Sequence, residues 1–199
     1  MGAMYPAIDL FTGEKERGTI ETILTVPASR LQILLGKMGV VILAGVSSGI
    51  LTILGMYIAL RLNKDVPPEL LNVVSVILTP KIISLIVLML VPLTTFFSGI
   101  LIPASIYAKS FKEAQSIILP MQFIVIIPLI ISMLPSTKLT TLTALLPVLN
   151  VGLACKEIIA GTIDYALLGL VFLSLFVFAG IGVVVCVKWF GREGNVLRG

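Results

Sequence analysis

Four long apolar runs dominate the chain, and shorter polar segments separate them. The runs lie at residues 38–60, 82–102, 117–134 and 166–187. Each is close to the roughly 20 residues that an α-helix needs to cross the hydrocarbon core of a bilayer. The pattern therefore predicts an all-α, polytopic helical membrane protein with about four transmembrane helices. Pro128 lies inside the third run and predicts a kink or a tilt there.

Two other segments do not fit a simple span. The connection after the first run is polar and carries Pro67-Pro68, which predicts a short irregular loop. Residues 135–165 contain an apolar stretch that is too short to span and that Asn150 interrupts. That length predicts a re-entrant or interfacial helical hairpin. Irregular backbone at membrane depth must be buried in protein or line water.

The composition agrees with a membrane protein. Of 199 residues, 58% are hydrophobic and 12% are charged, whereas soluble domains carry about 25% charged residues. The formal net charge of +4 arises from Lys and Arg residues that flank the apolar runs. Because these residues form no continuous basic patch, nucleic acid is not an expected partner. The expected partner is the lipid bilayer.

The basic residues are distributed unevenly between the two sides of the predicted bundle. Four crossings place both chain ends on one side, and nine of the 14 Lys and Arg residues lie on that side. Cytoplasmic loops carry the excess of Lys and Arg, so both termini are predicted to be cytoplasmic, in the plasma membrane, with residues 135–165 outside. The nine are Lys15, Arg17, Arg30, Lys37, Lys109, Lys112, Lys188, Arg192 and Arg198.

The densest cluster of charge lies near the start of the chain, between Gly13 and Thr22. This segment predicts a short helix in which Thr12 or Gly13 is the N-cap. Glu14 and Glu16 would then occupy its first turn, where negative charge interacts favourably with the helix dipole.

The same helix is predicted to be amphipathic and to stop near Thr25. Arg17 and Glu21 are four residues apart and can pair on one face. Pro27 lacks an N–H group and disfavours helix at the residue before it. An apolar stripe has the spacing of one helix face and consists of Ile20, Ile23 and Leu24.

A second helix is predicted to begin at Arg30, with Ser29 as its N-cap, and to run into the first span. On physical grounds alone, the charged segment could be an amphipathic helix that lies on the membrane surface. Its mixture of both charge signs argues against that interpretation, because surface-binding helices are usually rich in Lys and Arg.

Three segments together resemble a known family. The first is Gly-Glu-Lys-Glu-Arg-Gly-Thr-Ile-Glu-Thr at residues 13–22, followed by Pro-Ala-Ser-Arg at 27–30 and Gly-Lys at 36–37. The others are residues 107–116 and Pro-Val-Leu-Asn at 147–150. In this order they are similar to motifs of type-2 ABC exporter permeases, and most similar to the sodium-exporting (Nat-type) branch.

The resemblance implies specific roles for the charged residues. In that family the first motif forms a coupling helix that docks on a separate ATPase subunit, which binds ATP and Mg. The second motif would support that interface as a second cytoplasmic loop, and the third would belong to the outer re-entrant segment. The implied residues are Glu14, Lys15, Glu16, Arg17, Gly18, Thr19, Glu21 and Arg30; Lys109, Phe111, Lys112, Glu113 and Gln115; and Pro147 and Asn150.

The resemblance also implies a division of the chain. Residues 1–36 would contain the end of a preceding membrane helix and the coupling helix, and residues 37–199 would form the transmembrane helical domain. Family members carry an earlier helix and an extracellular domain before the first motif, so this chain resembles the C-terminal portion of a permease. The expected function is the permease subunit of an ATP-driven exporter of sodium or another small substrate, working with a second permease copy or a homologue.

Other classes of function fit less well. An intramembrane protease of the CAAX type needs Glu and His on spanning helices, but the chain has no His and its four apolar runs carry no acid. No phosphate-binding loop is present, so this chain is not expected to hydrolyse ATP. The absence of His excludes a Ser-His-Asp triad and any His-containing metal site, and no catalytic residue, metal site or bound cofactor is predicted. A non-transporting scaffold or inactive permease fragment remains the alternative.

Uncharged polar residues are the only candidates for ligands inside the apolar runs. Charged residues commonly mark ion pathways, so their absence argues against a sodium site built from this segment alone. A small-residue face at Gly45 and Gly49 predicts close helix packing within the chain. The polar candidates are Ser47, Ser48, Thr94, Thr95, Ser98 and Gln122.

Overall fold

A computed structural model describes residues 2–19, 27–62 and 67–190, and within these ranges the chain is helical and contains no strand. The helices in chain order are α1 (Met4–Ile8), a π-helical segment π1 (Asp9–Gly13), α2 (Glu14–Glu16), α3 (Arg30–Leu62), α4 (Pro68–Ile77), α5 (Pro80–Tyr107), α6 (Phe111–Ile118), α7 (Met121–Met133), α8 (Thr141–Ala144), α9 (Leu149–Ala160) and α10 (Tyr165–Phe190).

Four helical segments are long and apolar enough to cross a membrane. They are Arg30–Leu62, Pro80–Tyr107, Phe111–Met133 and Tyr165–Phe190. They cover the four predicted runs to within one residue, which confirms the all-α transmembrane fold. Many of their large apolar side chains are exposed, as expected where lipid replaces water around a helix.

Helix α5 lies at the centre of the bundle, packed along α10 on one side and against α3 on the other. The α5–α10 crossing is close because Gly99 faces Gly182: a Cβ atom on Gly99 would collide with the backbone of Gly182. Small residues at such crossings let two helix backbones touch. Neither glycine is singled out by the sequence pattern.

Helix α3 approaches α5 through the small-residue face that the sequence predicts. A Cβ atom on Gly45 would lie 2.9 Å from the Thr94 side chain, and one on Gly49 would lie 2.9 Å from Leu90. The expected packing of this face within the chain is therefore confirmed.

Two hydrophobic clusters occupy opposite ends of the bundle. The first joins α1, α3, α5 and α6 around Ile8, Leu34, Ile102, Ile106 and Ile118. The second joins α5, α8, α9 and α10 around Met89, Ala144, Leu153, Val171 and Leu175. Because α5 contributes its C-terminal half to the first cluster and its N-terminal half to the second, the clusters lie at different heights along the bundle.

The connection after the first span differs from its prediction as an irregular loop. It contains helix α4, which begins at Pro68 after an extended Pro67 with ψ of 138°. Proline is tolerated in the first turn of a helix, where its missing N–H would have had no partner. The two prolines therefore start a helix here, although they were expected to prevent one.

The third span has an interruption that the sequence pattern does not predict. Its interruption lies at Leu119–Pro120, between α6 and α7, whereas Pro128 lies inside α7. Pro120 cannot donate a backbone hydrogen bond to the preceding turn, which explains a break at that position. The span begins at Phe111, so most of the predicted loop at residues 109–115 is the first part of a helix.

Candidate functional site

The first motif lies at the end of a longer helix. Segments α1, π1 and α2 follow one another without a break, and Gly13 has helical angles and no capping bond. Thr12 is fully buried and donates its hydroxyl to Ser105 O at 2.7 Å. The predicted N-cap at Thr12 or Gly13 is therefore wrong, and Glu14 and Glu16 lie in a last turn. Because α1 is buried in the first cluster, the helix is already formed before Thr12 and Gly13, where it was expected to begin.

The α1–π1–α2 helix ends at Glu16, because Gly18 adopts a left-handed conformation with φ of +68°. Thr19 N–H donates to Glu14 O at 3.0 Å, and Gly18 N–H donates to Lys15 O at 3.1 Å. These two bonds form a Schellman motif, in which glycine is preferred. Gly18 and Thr19 of the motif thus terminate the helix.

Part of the first motif lies outside the described residues. Residues 20–26 include Glu21, its expected pairing with Arg17, the apolar stripe and the predicted stop near Thr25. Within the described residues, Arg17 Nη2 donates to Asp9 Oδ1 at 2.6 Å in an exposed ion pair. The N-cap predicted for the next helix is confirmed: Ser29 Oγ accepts from Gln32 N at 3.2 Å.

Glu14 connects the motif to α3. Its carboxylate accepts a short hydrogen bond from Lys37 Nζ, and both side chains are mostly buried. Lys37 also donates to Leu10 O at 2.6 Å and lies 4.5 Å from the centre of the Phe11 ring. Lys37 therefore has three partners on the α1–π1–α2 segment, which fixes that segment against the start of the first span.

Lys15 connects the motif to the end of α5. Its Nζ donates to Ile106 O in the last turn of that helix, where carbonyl groups have no partner within the helix. Burial lowers the pKa of Lys15, and the nearby Glu113 carboxylate raises it by a smaller amount. A cation at a helix C-terminus also interacts favourably with the helix dipole.

Glu16 connects the motif to the start of α6. Its Oε1 accepts from Phe111 N at 2.7 Å, which satisfies one of the free N–H groups of that helix. Ser110 Oγ accepts from Glu113 N at 3.2 Å, and Glu113 Oε2 accepts from Lys109 N at 2.8 Å. The second motif is therefore organised around a helix N-terminus that the first motif helps to cap.

The first and second motifs consequently form one surface, here called the charged corner. The sequence predicts that both lie on the same side, but it does not predict their direct contact. Half-buried residues hold the corner together, and exposed residues surround them. Exposed are Glu16, Arg17, Gly18, Thr19, Arg30, Lys109, Lys112 and Glu113; half-buried are Glu14, Lys15, Phe111 and Gln115.

The third motif lies at the opposite end of the bundle. Asn150 is fully buried in the first turn of α9, where its Nδ2 donates to Ser174 Oγ at 2.8 Å and to Ala144 O at 3.1 Å. Asn150 thus anchors α9 to α8 and α10 and does not interrupt a helix. Pro147 lies in the preceding turn, next to Val148, whose φ of 73° is rare for a β-branched residue.

Two further charged residues organise the segment between α7 and α9. Lys156 Nζ donates to Leu134 O at 2.7 Å and to Thr137 O at 3.1 Å. Glu157 Oε1 accepts from Leu139 N at 2.8 Å. These roles are not evident from the pattern, since Lys156 and Glu157 belong to no recognised motif.

The polar candidates inside the spans separate into two groups. Ser48, Thr94 and Gln122 line a cavity of about 310 Å³ between α1, α3, α5 and α7, and none of the described residues that line it is charged. Gln122 Nε2 contacts Met4 Sδ at 3.1 Å. The remaining candidates, Ser47, Thr95 and Ser98, do not line the cavity.

Fold and site together define a polytopic helical membrane protein whose first and second motifs converge on one end of the bundle. A family model described as "ABC-2 family transporter protein" matches residues 1–186. The chain therefore belongs to the ABC-2 family of transporter proteins.

One curated relative agrees with that assignment. The chain is 29% identical over 174 residues to the ABC transporter permease protein NatB of Bacillus subtilis (strain 168). The match covers 83% of this chain and 42% of the relative, so the chain spans less than half the length of that protein. No solved structure gives a significant match.

Proposed function

We propose that the chain is the C-terminal, membrane-spanning portion of the permease subunit of an ATP-driven ABC exporter, and that its charged corner docks on a separate ATPase subunit. The observation that carries this proposal is the convergence of two motifs, which lie about ninety residues apart in sequence, on one exposed surface. ATP and Mg would be bound by the partner subunit.

The corner fits a protein partner better than a lipid surface. It exposes both charge signs, with Arg17, Lys109 and Lys112 close to Glu16 and Glu113. Anionic lipid attracts segments rich in Lys and Arg, whereas charges of both signs allow complementary pairing with a protein. Glu14, Lys15 and Glu16 bind other helices of this chain, so the docking contacts are assigned mainly to the other exposed residues.

The orientation follows from this assignment. An ATPase subunit is cytoplasmic, so the charged corner would face the cytoplasm, and α8 and α9 would lie at the outer surface of the plasma membrane. Both termini would then be cytoplasmic, as the distribution of basic residues predicts. A second permease copy or a homologue would complete the membrane unit.

The proposed cargo is a small substrate, and sodium is the first to test because the motifs resemble those of the sodium-exporting branch. The described residues that line the 310 Å³ cavity provide hydroxyl and amide groups but no carboxylate, and the carboxylate of the described spans, Glu113, lies in the first turn of α6 at the charged corner. Carboxylates commonly line ion pathways in membranes. A sodium pathway would therefore require groups from outside these spans, from the rest of the permease or from a second copy.

Charge reversal at the corner tests the docking role. Lys112 and Lys138 are both exposed, and they lie at opposite ends of the bundle. In the permease co-expressed with its ATPase, Lys112→Glu should reduce co-purification and transport-coupled ATP hydrolysis, and Lys138→Glu should change neither. Equal behaviour of the two variants would contradict docking at the corner and favour a non-transporting scaffold.

A further inference from the structure

The same arrangement of a lysine and a glutamate occurs at both ends of the bundle. Each pair lies in a helix that ends at a Gly-Thr sequence, Gly18-Thr19 in one case and Gly161-Thr162 in the other. Gly161 also has a left-handed conformation, with φ of +70°. Thr162 N–H donates to Glu157 O at 3.0 Å, as Thr19 N–H does to Glu14 O.

The two pairs also bind comparable groups. Each lysine donates to a carbonyl at the end of a spanning helix: Lys15 to Ile106 O of α5, and Lys156 to Leu134 O after α7. Each glutamate accepts an N–H from the far side of the connection that follows, Phe111 N for Glu16 and Leu139 N for Glu157. Each pair therefore holds both ends of one interhelical connection, and we call this arrangement a Lys–Glu clamp.

The first clamp satisfies groups at two helix ends, Ile106 O and Phe111 N. The second satisfies Leu134 O at the end of α7 and Leu139 N in the connection before α8. The last carbonyls and the first N–H groups of a helix have no partners within it. Hydrogen bonds in which one partner is charged are roughly twice as strong as neutral ones. A clamp made from adjacent residues on one short helix also fixes the distance between the two connection ends.

The first clamp differs from the second in its neighbours, which add exposed charge and a link to α3. Its neighbour Glu14 binds Lys37 on α3, and its other neighbour Arg17 is exposed. Ile106 belongs to α5, the central helix of the bundle. A displacement of α2 would therefore act on α5 directly through the Lys15–Ile106 contact.

We propose that Lys15 and Glu16 are positioning residues that join α2 and the α5–α6 connection into one rigid unit, so that a force on the corner reaches α5. The clamp itself is a property of this chain. Its role in coupling rests on the proposed function. Lys156 and Glu157 make an equivalent clamp at the far end, and they provide the matched control.

The distance between the two motifs tests rigidity directly. Thr19→Cys and Lys112→Cys place spin labels on exposed positions of the first and second motifs, with Cys155 and Cys186 replaced by alanine. Electron–electron double resonance on the permease in nanodiscs should give one narrow distance distribution. Glu16→Ala and Lys15→Met should each lose the narrow peak, because each removes one side of the clamp.

A conservative variant separates positioning from general destabilisation. Glu16→Gln keeps an oxygen that can accept from Phe111 N, so it should restore the narrow peak that Glu16→Ala loses. Lys156→Met and Glu157→Ala should leave the distance between the two labels unchanged. A narrow peak in Glu16→Ala, a broad one in Glu16→Gln, or broadening by the far-end variants would each overturn the proposal.

The coupling role has its own readout. Glu16→Ala should reduce transport per ATP hydrolysed while co-purification is retained; unchanged transport per ATP would overturn the coupling role. If the unsubstituted permease failed to retain the ATPase, the proposed function would fail while the distances still tested the clamp.

Discussion

The charged corner and the α7–α9 segment use the same clamp but surround it differently. Around Lys15 and Glu16 lie half-buried and exposed charges, including the Glu14–Lys37 pair and the exposed Arg17. Around the second clamp the central contact is neutral and fully buried, between Asn150 and its partners on α8 and α10. The corner thus surrounds its clamp with accessible charge, whereas the far end places its central polar contact inside the fold.

The difference has an energetic consequence. A buried neutral amide with every partner in place holds its helices in one arrangement, because any movement leaves a buried group unsatisfied. Half-buried charges can exchange a protein partner for water or for another protein at lower cost. The far end is therefore expected to be the rigid reference, and the corner the end that can respond to docking.

The largest effect is expected at the far end, from Asn150→Asp. This change places a carboxylate at a fully buried position where the amide had donated two hydrogen bonds. An uncompensated buried charge costs roughly 3–5 kcal/mol. Thermal unfolding in detergent should show a large loss of stability. Ser174→Ala, which removes only one partner, should lose less; a smaller loss for Asn150→Asp than for Ser174→Ala would refute the assigned anchor.

The next effect is expected at the Glu14–Lys37 pair. Glu14→Lys would place two ammonium groups together where both side chains are mostly buried, and we expect a loss of about 2–3 kcal/mol. The double reversal Glu14→Lys with Lys37→Glu should recover part of this loss. Recovery should be incomplete because Glu cannot donate to Leu10 O. Additive losses in a double-mutant cycle would show that the two residues are not coupled.

A smaller loss of stability is expected when either of the two clamp glutamates is replaced, and the comparison between these two variants is more informative. Glu16→Ala and Glu157→Ala each remove an acceptor from one backbone N–H, and each should cost about 1 kcal/mol. Their effects on unfolding should be similar, but only Glu16→Ala should lower transport per ATP hydrolysed. Equal functional effects would remove the distinction between the two ends.

The prediction with the smallest expected effect concerns which side of the membrane each end of the bundle faces. A cysteine at the exposed position 138 should react with an impermeant maleimide added to intact cells. Burial raises the pKa of Cys155 to about 11, so this native thiol stays protonated near pH 8 and should react slowly. Its reaction should quicken as the pH rises towards that pKa. Labelling of Lys138→Cys only after permeabilisation would reverse the proposed topology.

The predicted and observed features differ most where a local preference competes with packing. The run at residues 13–22 has the composition of a helix start, yet burial of α1 carries the helix through Thr12, and Gly18 ends it. Pro67-Pro68 looks like a loop but begins α4, because proline is compatible with a first turn. Local preferences of this kind are worth about 1 kcal/mol, less than the burial of several apolar side chains.

The amino-acid sequence by itself determined the number and position of the spans, because the thickness of a bilayer sets how long an apolar helix must be. It also determined the Ser29 cap and the presence of two charged segments on one side. Only the tertiary structure decided which groups those charges bind. Ile106 lies 91 residues from Lys15, and Phe111 lies 95 residues from Glu16. No local pattern encodes such contacts; they arise because packing of α1 and α5 in one core brings their ends together.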